Sequence, residues 1–154
     1  MIAGQQKRIL VVDDDAVVRE LLATVLRQHS LIVDEACDGR EALALIKEHQ
    51  YAVILLDLLM PVLNGFAVLD GLAAAELTSP PVVLVITGAG RGEIGRLDPR
   101  LVQGIMKKPF DLEELAGVVV ACAEIRSRNT FGTMAIATMI AGSPLLALLN
   151  RFSS

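Results

Sequence analysis

Tryptophan is absent and aromatic residues make up only 3% of the chain. Whatever core it builds must therefore be aliphatic, drawn from the Val, Leu, Ile and Ala that dominate a hydrophobic fraction of 53%. Basic clusters are also missing. The formal net charge is -4 and charged residues are 21%, a balance that gives no support for direct nucleic-acid binding. Cysteine is scarce. Cys37 and Cys122 lie far apart in apolar segments without a CxxC or ligand spacing, so both are expected to be buried thiols in a reducing compartment. The start, MIAGQQKRILVVDDD, has no signal-peptide apolar region, since only four apolar residues precede three aspartates. This places the body of the protein in the cytoplasm. At 154 residues the chain is read as one domain with an appendage, long enough to bury a sizeable core.

What the sequence does contain is centred on AVILLDLLMPVLNG, Ala52 to Gly65. Five apolar residues run without interruption into Asp57, Met60-Pro61 stops regular structure, and Asn64-Gly65 opens a helical pattern. A short apolar run bounded by turn signals suits a strand buried on both faces, as in a parallel sheet. Its last residue then falls at the carboxyl edge of the sheet, where open α/β folds bind ligands.

The same pattern recurs along the chain. Arg8 to Val12 is a strand ending at Asp13-Asp14-Asp15, and the period changes at Ala16, with Val18, Leu21, Leu22, Val25 and Leu26 on one helical face up to about His29. Asp15 is placed to cap that helix. A second strand starts at Leu31-Ile32-Val33 and ends near Ala36-Cys37, and Asp38-Gly39 opens a helix to about Gln50. After the central stretch, a helix is expected from Asn64 to about Leu77, then a fourth buried strand, Val82 to Ile86, ending at Thr87. Gly88 to Pro99 is glycine-rich, so its helix should be short or poorly ordered. A fifth strand, Gly104 to Met106, ends in Lys107-Lys108-Pro109-Phe110, and acidic Asp111, Glu113 and Glu114 start a helix to about Arg128. Five alternations of strand and helix make a doubly wound parallel α/β sheet with helices on both faces.

Four strands end in a complementary polar set: Asp13-Asp14, Asp57, Thr87 and Lys108. In a doubly wound sheet these ends converge on one crevice. Clustered carboxylates repel one another and invite a hard divalent cation, and Mg²⁺ suits carboxylate, water and phosphate oxygens. A carboxylate in that setting can act as the nucleophile in phosphoryl transfer, with the metal, a Lys ammonium and a Thr hydroxyl stabilising charge on the phosphoryl oxygens.

ILVVDDD, ILLDLLMPVLNG, VLVITG and KKPF, in this order and spacing, resemble the receiver domain of bacterial two-component response regulators, of the stand-alone type similar to the chemotaxis response regulator. The resemblance covers 7–128. It implies a flavodoxin-like five-stranded sheet of order 2-1-3-4-5, Asp57 as phosphoacceptor, and a Mg²⁺ pocket of Asp13, Asp14, Asp57 and the backbone carbonyl of Leu59, with Asp14 the more direct ligand. It further implies Thr87 as the switch hydroxyl, Lys108 as the lysine contacting the phosphoryl group, and a cis peptide bond before Pro109. The partners implied are a histidine kinase or histidine phosphotransfer protein upstream and another protein downstream, with no nucleic acid.

The family usually carries Tyr or Phe three residues before the lysine; here the switch position is Ile105. Leu59 and Ala89 stand two residues after Asp57 and Thr87, positions that in relatives tune how water reaches the phosphoryl group. Bulky Leu59 cannot orient water, so slow autodephosphorylation is expected. A degenerate receiver acting without phosphate, hinted at by Ile105 and the weak fourth helix, is one rival. A Mg²⁺-dependent phosphohydrolase with Asp57 as nucleophile is the other, but such enzymes generally carry an acid where Leu59 stands and need a substrate cap.

Beyond Arg128 the character changes. Asn129 to Asn150 carries no charge, and no DNA-binding or catalytic output domain fits there. Gly142-Ser143-Pro144 interrupts this stretch, so a helical extension over 129–154, packing on the receiver or dimerising, fits better than a membrane contact.

Overall fold

The structure is a computed structural model, and it describes residues 7–128. The strands are β1 (Arg8–Val12), β2 (Ile32–Ala36), β3 (Val53–Leu56), β4 (Val82–Thr87) and β5 (Gly104–Lys107). They alternate with α1 (Ala16–Gln28), α2 (Gly39–Glu48), α3 (Gly65–Ala74), α4 (Arg91–Ile94) and α5 (Leu112–Arg128). All pairings are parallel in the order β2-β1-β3-β4-β5, as the resemblance implied.

The uninterrupted apolar runs follow from this architecture, because successive side chains of a strand point to opposite faces. Ile9 and Val11, Val53 and Leu55, and Val82, Leu84 and Ile86 join α1 and α5 on one face. Leu10 and Val12, Ile54 and Leu56, and Val83 and Val85 join α2 and α3 on the other. With both faces covered, no position in β3 or β4 remains for a polar residue before the strand ends. Each fully buried Val, Leu or Ile contributes about 1.5–3 kcal/mol relative to exposure.

Four helices are started by the side chain in front of them, α5 by Asp111, whose Oδ1 accepts from the Glu114 amide at 2.8 Å. Asp15 accepts from the Val17 and Val18 amides, Asp38 from Glu41, and Asn64 from Ala67, each satisfying otherwise orphaned helical N–H groups.

Several sequence expectations are corrected. Cys37 is exposed: β2 ends at Ala36, and Cys37 sits on the bend leading into α2, its Sγ donating to Glu41 Oε2 at 2.9 Å. That hydrogen bond, with a small contribution from burial, pushes the thiol pKa up, so it is held protonated. Cys122 is buried as expected, and burial pushes it up to about 11. Leu21 is turned to solvent, the core face of α1 being carried by Leu22, Ala23 and Leu26. α3 stops at Ala74 because Glu76 adopts a left-handed φ of 47°, which a continuing helix does not permit. α4 has only four residues, in keeping with its glycines. The stretch 129–154, and with it the expected helical extension, dimerisation and membrane contact, lies outside the described residues. Among the described residues no helix is long and apolar enough to cross a membrane.

Candidate functional site at the carboxyl edge of the sheet

Asp13 directly follows β1 and remains tied to the sheet, its amide donating to Ala36 O at 3.1 Å. Asp57 directly follows β3 and is tied the same way, its amide donating to Val12 O at 3.0 Å. The two carboxylates therefore project from adjacent strands at one height. Both are nearly inaccessible, at 2% and 5% exposure. Asp14, next along the chain, is exposed. Asp13, Asp14 and Asp57 each bring a carboxylate oxygen within 4.8 Å of the other two.

Lys108 reaches in from the far side. Its amide donates to Thr87 O at 3.0 Å, extending the β4–β5 ladder one residue past Lys107. The Lys108–Pro109 peptide bond is cis. The ammonium donates to Asp13 Oδ2 at 2.7 Å and to Asp57 Oδ2 at 3.2 Å. Thr87 is fully buried at the end of β4, and its Oγ1 accepts from the Ala89 amide at 3.1 Å. The second oxygens are engaged as well: Asp13 Oδ1 accepts from Asp15 N at 2.9 Å and Asp57 Oδ1 from Leu59 N at 3.2 Å. Ile105 lies elsewhere. It is half-buried in β5 opposite Val85 and packs against the α2–α3 side of the core.

Charge decides what this cluster wants. Burial raises the Asp13 pKa above the ordinary carboxylate range despite the hydrogen bond from Lys108. Burial opposes the charge on Lys108 too, but the bond to Asp13 and the nearby Asp57 outweigh it and hold the ammonium above its usual pKa. Carboxylate oxygens lying within 4.8 Å of one another repel by roughly 3 kcal/mol or more at an effective dielectric near 20. Three carboxylates against one ammonium leave a formal charge of two minus, made of hard oxygen donors open to solvent on the Asp14 side. That donor set fits Mg²⁺.

Two contributors were passed over in the sequence reading. Arg19, at the end of the first turn of α1, donates from Nη1 to Asp13 O at 2.8 Å and lies 3.5 Å from Glu35, bracing the loop that carries Asp13 and Asp14. Nothing in the sequence separates it from an ordinary helix-surface arginine. Gly65 donates its amide to Leu58 O at 3.0 Å, and a Cβ there would meet Asp57 O at 2.4 Å. Only a residue without a side chain lets α3 start so close to the Asp57 backbone; the Asn-Gly pair was read as a helix start alone.

A family model described as the response regulator receiver domain matches residues 9–120. The chain belongs to that family. Receiver domains are signalling modules of two-component systems. This receiver is 35% identical over 108 residues to the transcriptional regulatory protein TcrA of Mycobacterium tuberculosis, a match covering 70% of this chain and 42% of TcrA. It is 35% identical over 135 residues to the transcriptional regulatory protein PrrA of Mycobacterium bovis, covering 88% of this chain and 57% of PrrA. The chain thus spans about half the length of the curated relatives it matches. Among solved structures it is similar to the response regulator protein TrrA of Thermotoga maritima in complex with Mg(2+)-BeF, with 28% identity, a TM-score of 0.66, and coverage of 76% of this chain and 99% of that one.

Proposed function

We propose that this receiver is a phosphorylation switch: Asp57 accepts a phosphoryl group from a histidine kinase or histidine phosphotransfer protein, and the phosphorylated state signals by binding another protein. The observation that carries this reading is the convergence of Asp13, Asp14, Asp57 and Lys108 at one sheet edge, with Lys108 bonded to both buried carboxylates. In the transfer, a carboxylate oxygen of Asp57 forms the new P–O bond as the P–N bond of the donor phosphohistidine breaks, the electron pair leaving with the imidazole nitrogen. Asp13, Asp14, Asp57 and the Leu59 carbonyl are the groups that would hold Mg²⁺. When bound, the cation supplies positive charge to the phosphoryl oxygens. Lys108 already sits 3.2 Å from Asp57 Oδ2 and provides a second positive charge from the protein itself. Thr87, whose Oγ1 takes a bond from Ala89 N, keeps its hydroxyl proton available to a phosphoryl oxygen. The transfer is catalysed by the receiver's own residues, with no external substrate turned over. A hydrolase reading is weaker, because the position two after Asp57 is Leu59, which can neither give nor take a proton.

The net charge of -4 favours a protein over a nucleic acid as the downstream partner. The two mycobacterial relatives are named as transcriptional regulators, and that description remains theirs.

The test is intact mass after incubation with acetyl phosphate, with and without Mg²⁺, on wild type and Asp57→Asn in parallel. A Mg²⁺-dependent phosphoryl adduct on wild type alone is the expected result. Wild type without an adduct in either condition would sink the reading and return the degenerate receiver.

A further inference from the structure

Asp14 differs from the other two carboxylates of the cluster. Asp13 and Asp57 are buried and each is held by Lys108. The Asp14 carboxylate is exposed and makes no hydrogen bond or ion pair among the described residues. With no partner of its own, it is aimed by its backbone alone. That backbone is pinned at one atom. The Asp13 carbonyl belongs to the Asp13–Asp14 peptide, a rigid plane, so fixing its oxygen fixes where the Asp14 Cα and side chain set off. The group bound to that oxygen is Arg19 Nη1, at 2.8 Å.

Arg19 is itself held. Its side chain is only 19% exposed, and its Nε lies 3.5 Å from Glu35 Oε1. Glu35, on β2, accepts at its other oxygen from Arg27 Nη2 at 3.2 Å, and that nitrogen also donates to Val33 O at 2.9 Å. The guanidinium that pins the Asp13 carbonyl is thus tied to β2, the neighbour of β1 in the sheet. Its planar fork suits the double duty, one nitrogen toward the carbonyl and another toward the carboxylate; an ammonium is a single point charge.

We infer that Arg19 is a positioning residue for the cation pocket: oriented by Glu35 and acting through the Asp13 carbonyl, it aims the Asp14 carboxylate at the site shared with Asp13 and Asp57. The role rests on the Mg²⁺ pocket of the proposed switch and not on phosphoryl transfer. Charge and position make opposite demands. By Coulomb's law alone, a guanidinium near three carboxylates repels a divalent cation, and its removal would tighten binding. Glu35 offsets that charge, and loss of the pinned peptide lets Asp14 turn to water, so removal weakens binding instead. Losing a group that orients a metal ligand typically lowers affinity by roughly 10–100-fold.

Calorimetric titration of the full chain with Mg²⁺ tests the role, on wild type, Arg19→Met, Arg19→Lys and Glu35→Gln. Met keeps the mostly buried stem and removes every donor; Lys keeps one. The dissociation constant should rise about tenfold in Arg19→Met and by less in Arg19→Lys and Glu35→Gln. In an Asp14→Asn background, Arg19→Met should change affinity little further, because its effect runs through Asp14. A folded Arg19→Met that binds Mg²⁺ as tightly as wild type, or more tightly, overturns the proposal whatever stability it has lost. So does an undiminished loss in the Asp14→Asn background. Should Arg19→Met fail to fold, wild-type affinity in both Arg19→Lys and Glu35→Gln overturns it equally. Wild type that binds no Mg²⁺ sinks the pocket and this role together. The expected affinities in a protein that forms no adduct with acetyl phosphate would sink the phosphorylation reading and uphold the role of Arg19.

Discussion

Leu59 follows Asp57 by two residues, is 51% exposed, and its amide donates to Asp57 Oδ1. A branched alkyl group there neither orients nor activates water. Phosphorylated Asp57 should accordingly persist for minutes or longer once the donor is removed, and Leu59→Asn should shorten that lifetime roughly tenfold, about 1.4 kcal/mol off the barrier. Decay of the adduct mass measures this, and a wild-type half-life of seconds would refute it. A second residue, Asp34, tests the structure away from the site. It accepts from Tyr51 Oη and from Arg8 Nη1, both at 2.7 Å. Burial acts to raise its pKa, but the bonds from Tyr51 and Arg8 outweigh burial and hold the carboxyl below the usual range. A lowered folded pKa gives stability that is present above the ordinary carboxylate value and lost as pH falls through the folded one. Tyr51→Phe should cost about 1–2 kcal/mol in urea unfolding at neutral pH. The gap to wild type should narrow in strongly acidic solution; a gap independent of pH would show that lost packing, not the charged hydrogen bond, is responsible.

At the scale of elements, the junction between β3 and α3 carries the phosphoacceptor candidate and tolerates no added volume. A methyl at Gly65 would collide with backbone, Asp57 O and Leu58 Cα at 2.4 and 2.8 Å, and backbone cannot rotate aside as a side chain can. Gly65→Ala should therefore destabilise by about 1–3 kcal/mol, measured by thermal or urea unfolding, and slow adduct formation at Asp57 as well. Gly117→Ala, where nothing lies within 4 Å, is the control expected to be neutral or slightly stabilising. The contrast between these glycines shows what the sequence does and does not disclose. Strands β1, β3 and β4 were legible because burial on both faces forces continuous apolar runs, and the chemistry was legible because those runs end at Asp13, Asp57 and Thr87, with the lysine pair closing β5. The weak fourth helix was legible in its glycines. The close approach at Gly65, the brace from Arg19 and the exposure of Cys37 were not. Each depends on distances between elements far apart in sequence, or on a bend one residue past a strand end, and neither quantity is written in local periodicity. Leu77 was misplaced for a related reason: the apolar pattern continues past Ala74, but the left-handed backbone at Glu76 ends the helix first.

On the scale of the whole molecule, three like charges at one edge oppose folding, and a ligand that neutralises them should stabilise the native state by mass action. At tenfold excess over its dissociation constant, Mg²⁺ should add about 1.4 kcal/mol, a rise of a few degrees in Tm. Asp14→Asn and Asp57→Asn should each reduce that shift; a shift of equal size in both variants and wild type would place the cation elsewhere. The ammonium of Lys108 closes contacts across 95 residues to Asp13 and 51 to Asp57. This has a consequence for the order in which the protein comes into being. During synthesis Asp13 and Asp57 leave the ribosome long before Lys108, and β5, which places the lysine, comes last among the strands. A nascent or nicked chain lacking β5 thus presents two buried-to-be aspartates with no cation between them, and it has no competent pocket to offer a phosphodonor. On the proposed reading, phosphorylation of Asp57 would thus report that the sheet is complete through β5, and chains lacking that strand would stay silent.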